Sequence, residues 1–203
     1  MSRVSIFVDG FNLYHSLEDV RAYHKYKWLD LEKLAKCFIS PNDTIEDLFY
    51  FTTYATWAPT KVAKHKDYVS ALRTVNVKPV FGAFRYRDKK CQKCNRVYKT
   101  WEEKRTDVNI AIQLFSTAIN DKWDKAFIVS GDSDLIPAIE AVKQIFPGKQ
   151  IGIIIPIRRR AEELKQVADY HMKIKEKHLK TCQFPDNVHI GNGVNVQKPS
   201  SWH

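Results

Sequence analysis

A chain of 203 residues with 44% hydrophobic residues carries enough apolar side chains for one well-buried core and is too apolar for a disordered segment. Its formal net charge of +10 points to an anionic partner, and nucleic acid is the commonest polyanion in a cytoplasm. No apolar run approaches the roughly 20 residues that span a bilayer. The short apolar start runs directly into Asp9, so no membrane partner and no signal peptide are expected, and the protein is placed in the cytoplasm.

Residues 3–8, RVSIFV, read as a first strand that ends at Asp9-Gly10. A helix or turn begins at Phe11, and Asn12 lies about one helical turn beyond Asp9. Residues 30–38, DLEKLAKCF, form an amphipathic helix with Asp30 as its cap. The aromatic and β-branched residues 45–55 predict a second strand, and a helix follows over 60–74. A third strand runs over 77–84, where Gly82 marks a bulge or a close approach. After a basic insertion at 85–105, a helix over 106–120 is capped by Thr106. Its apolar stripe is Ile110, Ala111, Leu114 and Ala118, and Asp107 falls on that stripe.

The stretch KAFIVSGDSDLI, residues 125–136, reads as a buried parallel strand that ends at Ser130 and turns straight into a helix. It leaves Asp132 and Asp134 at the strand's carboxyl end, where open α/β sheets bind ligands. Asp132 as a plain helix cap is the alternative. A fifth strand at 149–155 and a short helix at 161–169 follow, with Arg158, Arg159 and Arg160 between them. The pattern weakens from Tyr170. Residues 171–203 are expected to be a basic extension, loosely ordered from about Pro185.

The insertion at 85–105 holds nine basic and three acidic residues, a net of +6. Arg85, Arg87, Lys89, Lys90, Lys104 and Arg105 are the candidates for holding phosphates, with Tyr86, Tyr98 and Trp101 interleaved. Cations that track a backbone and rings that stack on bases are the parts of a single-strand binding groove, and an ordinary solvated loop with hairpin aromatics is the alternative. The insertion also contains Cys91-Gln92-Lys93-Cys94. One such pair is half of a zinc site, and nothing in the spacing places Cys37 or Cys182 beside it.

Strands alternating with helices predict an α/β sandwich with a mainly parallel sheet. That architecture can gather Asp9, Asp107, Asp132 and Asp134 at one sheet edge, with Asn12 beside them. Carboxylates so placed raise each other's pKa unless a cation intervenes. Mg²⁺ or Mn²⁺ would resolve the crowding, activate water and stabilise the leaving oxygen of a phosphodiester.

VDGFNLY, EKRTDVNIAIQLF and FIVSGDSDLIPAIEAV resemble, in order and separation, the three motifs of NYN domains. These belong to a wider PIN-like group of metal-dependent ribonucleases, and the likeness covers about residues 3 to 170, within a domain taken as 1–170. The resemblance implies a three-layer α/β/α sandwich, with Asp9, Asn12, Asp107, Asp132 and Asp134 around the metal. It also implies RNA as substrate, and a homodimer is compatible with it. Three rivals are weighed. A haloacid dehalogenase phosphatase needs a second Asp at position 11, which is Phe. A Rossmann dinucleotide site needs a GxGxxG that is absent. A non-catalytic RNA-binding domain that keeps the fold is the remaining one.

Overall fold

The computed structural model describes residues 1–202. Its centre is a six-stranded sheet, and every neighbouring pair in it is parallel. The chain runs β1 (Arg3–Asp9), α1 (Gly10–Glu18), α2 (Leu31–Lys36), β2 (Thr44–Thr52), α3 (Pro59–Arg73) and β3 (Val77–Phe81). A hairpin follows, β4 (Ala83–Lys90) and β5 (Val97–Lys104), and then α4 (Thr106–Ile119). The second half is β6 (Lys125–Val129), α5 (Ile136–Ile145), β7 (Gln150–Ile155), α6 (Glu162–Val167), β8 (Tyr170–Lys173) and α7 (Glu176–Thr181). It closes with two short strands, β9 (Asn187–His189) and β10 (Asn195–Gln197).

Two apolar clusters sit on the two faces of the sheet, as period-two alternation demands. Ile6 and Val8 of β1, Phe127 and Val129 of β6 and Ile154 of β7 face one cluster, with α1, α2 and α3. Phe7, Ala126, Ile128, Ile151, Ile153 and Ile155 face the other, with α4, α5 and α6. The result is a three-layer α/β/α sandwich. The strand order is β3-β2-β1-β6-β7-β8. The chain therefore works outward in one direction from β1 and in the other from β6. The crevice between their carboxyl ends is the switch point at which ligands of such sheets bind.

Four expectations change. The strand expected over 77–84 is broken at Gly82, where an added Cβ would lie 2.6 Å from Thr53 Oγ1 and 2.8 Å from the Lys104 carbonyl. The insertion is not an open loop but a regular hairpin in full antiparallel register from Ala83↔Lys104 to Lys90↔Val97. Thr106 is the first residue of α4 rather than its cap, which is Arg105 in a left-handed conformation (φ 79°).

The fourth change concerns the expected loose tail, which packs on the core instead. Phe184, Val188 and Val196 are buried with Trp28, whose indole N–H donates to the Pro185 carbonyl at 2.8 Å. Trp202 closes on Trp28 and Tyr68 at 6.1 Å each. Val188 and Ile190, and Val194 and Val196, alternate with polar residues on either side of Gly191-Asn192-Gly193, and β9 pairs there with β10 in antiparallel register. β8 supplies the sixth strand of the sheet, beyond the expected domain end at 170.

Candidate metal centre

β1 ends in Asp9, and the chain enters α1 without a loop. Gly10 makes that turn possible, because a Cβ there would lie 2.5 Å from the Phe51 carbonyl oxygen. Asp9 caps α1: its Oδ1 accepts the Asn12 backbone N–H at 3.0 Å, and its Oδ2 accepts the Ser130 hydroxyl at 2.8 Å. Asn12 returns the connection, its Oδ1 accepting the Gly131 N–H at 3.1 Å. Ser130 Oγ accepts the Asp132 N–H at 3.1 Å, and Asp132 Oδ1 accepts the Asp134 N–H at 3.1 Å. One hydrogen-bonded chain thus ties the end of β1 to the turn after β6 and points the carboxylates of that turn outward.

α4 delivers Asp107 to the same place from its first turn. Oxygens of Asp107, Asp132 and Asp134 all lie within 4.8 Å of one another, the first two half-buried and the third exposed. This is the one group of three or more potential metal ligands among the described residues. Asp9 stands behind it and is not a member. Burial, opposed by its two hydrogen bonds and reinforced by Asp107 and Asp132, pushes its carboxyl up to about 6. Burial also raises Asp107, followed by the charges of Asp132, Glu103 and Asp134. Three clustered carboxylates are an all-oxygen donor set short of positive charge, which suits a hard divalent cation.

Sequence reasoning missed two neighbours. Glu103 accepts the Thr106 N–H at 3.2 Å and also its hydroxyl, fixing the start of α4 and adding charge beside Asp107. Its position four residues before Asp107 in EKRTD was the available signal. Arg159 sits against the Gly131 turn and pairs with Asp19 at 3.1 Å. The connection after β7 thus packs the stem of Arg159 on the turn, while its guanidinium reaches to the C-terminal end of α1.

The hairpin sorts the basic residues by face. Alternation puts Arg85, Arg87 and Lys89 on one face with Lys104, and Lys90 on the other, while Arg105 lies in the link to α4. Glu102 pairs with Arg87 at 2.9 Å and with Lys104 at 3.1 Å. The opposite face anchors the hairpin's base. Trp101 stacks on Trp57 at 4.3 Å and 3°, and Phe84 meets Trp57 and Phe11 edge-on at 4.6 and 5.5 Å. Trp101 is thus a packing residue, and Tyr86 leans on it at 4.8 Å. Under these rings lies a cavity of about 590 Å³, lined also by Tyr14, Lys27, Tyr50, Thr53 and His65. Cys91 and Cys94 are at the hairpin's far end. Cys37 and Cys182 lie 3.5 Å from each other, and among the described residues no group of three or more ligands includes any cysteine.

The profile of the NYN domain matches residues 3–175. A relative from Pseudomonas putida, 6-hydroxy-3-succinoylpyridine 3-monooxygenase HspA, is 27% identical over 99% of this chain and 75% of its own length. A crystal structure of a protein of unknown function from Vibrio parahaemolyticus superposes with a TM-score of 0.60 at 19% identity, covering 86% of this chain and 94% of that one. It shares the fold. The matched span takes in β1, the start of α4 and the turn after β6, the three segments that build the acidic centre, and the chain belongs to the NYN-domain family, a nuclease-type family.

Proposed function

We propose that the protein is a Mg²⁺- or Mn²⁺-dependent endoribonuclease. The observation that carries this reading is the convergence of Asp107, Asp132 and Asp134 at the switch point of the sheet in a NYN-family chain. These three carboxylates are the residues that would hold the cation. When bound, such an ion supplies an activated water and stabilises the oxygen leaving a phosphodiester. Asp9 and Asn12 act as positioning residues: through Ser130 and the Gly131 N–H they fix the turn that carries Asp132 and Asp134. The basic hairpin face, with Lys104 and Arg105 at the end nearest α4, holds backbone phosphates, so RNA binding is salt-sensitive. Clustered aspartates weaken a pure binder of polyanions, which disfavours the non-catalytic alternative.

The test is incubation of labelled single-stranded RNA and DNA with Mn²⁺, Mg²⁺ or EDTA, beside an Asp132→Asn variant. Cleavage of RNA that needs metal and is absent in the folded variant supports the reading. Salt-dependent binding without cleavage, retained in the variant, would replace it with the binding domain.

A second reading rests on the aromatic-lined cavity and on the relative named for acting on a hydroxylated pyridine. In it, the cavity takes a small aromatic acid. Quenching of Trp57 and Trp101 fluorescence by 6-hydroxy-3-succinoylpyridine is its test, and the absence of saturable quenching removes it.

A further inference from the structure

The acidic centre makes no use of the far end of the hairpin, where Cys91 and Cys94 stand. The chain there is tightly folded. The Cys91 N–H donates to the Arg96 carbonyl at 2.8 Å, and the Asn95 N–H donates to the Cys91 carbonyl at 2.9 Å. Asn95 then takes a left-handed conformation (φ 57°) that returns the chain to β5. Asn tolerates that conformation better than most residues. Cys91 and Cys94, three residues apart, thus share one tight turn. Cys94 is exposed and Cys91 partly so.

Two thiolates on one turn are half of a structural zinc site, which closes with four ligands. The other half is not supplied from within: among the described residues no third His, Cys, Asp or Glu joins this pair. Cys37 and Cys182 are engaged with each other elsewhere. The turn is also unpartnered, since Val97 and Tyr98 beside it are 64% and 49% exposed. Charge sets the condition for covering them. Lys89, Lys90, Lys93, Arg96 and Lys99 surround the tip, so two tips repel without metal. One Zn²⁺ with four thiolates carries two net negative charges and offsets part of that repulsion.

We propose that Cys91 and Cys94 from two copies of this chain hold one Zn²⁺ between them, joining the hairpins tip to tip about a two-fold axis. Each thiol gives its proton to solvent as the metal binds. An isologous contact of this kind closes on itself and stops at two chains. It leaves the acidic centre at the other end of each hairpin free, and it stands independently of the reaction catalysed there.

The full-length protein, stripped of metal, is titrated with Zn²⁺ while its mass is followed by light scattering and its bound zinc is counted. A mass that doubles at one zinc per two chains is expected. Co²⁺ in place of Zn²⁺ should give the intense sulfur-to-metal absorption of a tetrahedral tetrathiolate, which requires no variant. Cys91→Ser and Cys94→Ser should each stay monomeric with an unchanged circular dichroism spectrum, whereas Cys37→Ser should still dimerise. One zinc per monomer, a dimer indifferent to chelator, or no zinc retained at micromolar concentration would overturn the proposal.

Discussion

Replacing Asp9 by Asn is expected to stabilise the metal-free protein at neutral pH. The Asp9 carboxyl is 3% exposed and titrates at about 6 in the folded chain, against an ordinary value of 3.8. Between those values the folded protein keeps a proton that the unfolded chain has released. Stability therefore falls as the pH rises from about 4 to about 6 and stays low above that. At about 1.4 kcal/mol per pKa unit, holding Asp9 ionised costs roughly 3 kcal/mol. Asn keeps an acceptor for the Asn12 N–H and can turn its amide towards Ser130 Oγ. It loses the charge that strengthens both bonds, so about 1–2 kcal/mol is recovered. For a chain of this length that raises the melting temperature by roughly 2–8 °C.

The assay is thermal unfolding of both proteins in EDTA, at about pH 7.5 and about pH 4, chosen to lie above and near the two ends of the titration. The variant should melt higher at the upper pH, with the difference shrinking at the lower one, where the native carboxyl is protonated. A variant that melts lower at both would refute the reasoning, by showing that the two hydrogen bonds outweigh the buried charge.

Other outcomes follow from the same geometry. Asp107→Asn should leave the fold intact while lowering metal-dependent cleavage of RNA at least ~100-fold, read as initial rates. Removing Arg85 and Lys89 together should reduce the salt dependence of RNA binding by roughly 1.4 in the log–log slope, at ~0.7 per phosphate contact on a single strand. Fluorescence anisotropy at several salt concentrations measures it, and an unchanged slope places the RNA elsewhere. Gly10→Ala should destabilise by about 1–3 kcal/mol in urea titration, because its Cβ would collide with a backbone carbonyl that cannot turn aside. Trp57→Ala should loosen the hairpin's base, seen as faster hydrogen exchange in Ala83–Lys90, since the parallel stack on Trp101 contributes ~1 kcal/mol beyond its buried area.

The parallel strands were legible because burial on both faces writes them as continuous apolar runs, such as Ala126–Val129 and Gly152–Ile155. Asp132 and Asp134 were legible because they follow directly on such a run, and Asp107 because it heads a helical stripe, so local spacing fixes the place of each. The position of Asp9 behind the other three was not. It depends on the Ser130 hydroxyl, 121 residues away in sequence, arriving beside it. Trp101 was legible as an exposed ring among cations, but its role is set by Trp57, which a linear reading cannot bring to it. Residues 184–202 hold a short alternating signal at Val188-Ile190 and Val194-Val196, but their docking on Trp28 and Tyr68 was not legible, because distant segments of the chain build that surface.

If a divalent cation on Asp107, Asp132 and Asp134 carries the proposed ribonuclease reaction, bound metal and cleavage rise and fall together. Electron paramagnetic resonance counts bound Mn²⁺ in the same samples in which cleavage of end-labelled RNA is followed. Cleavage should rise in proportion to occupied sites, and both should be lost together in Asp107→Asn. Cleavage that persists in EDTA, or Mn²⁺ bound at these carboxylates with RNA left intact, would contradict it.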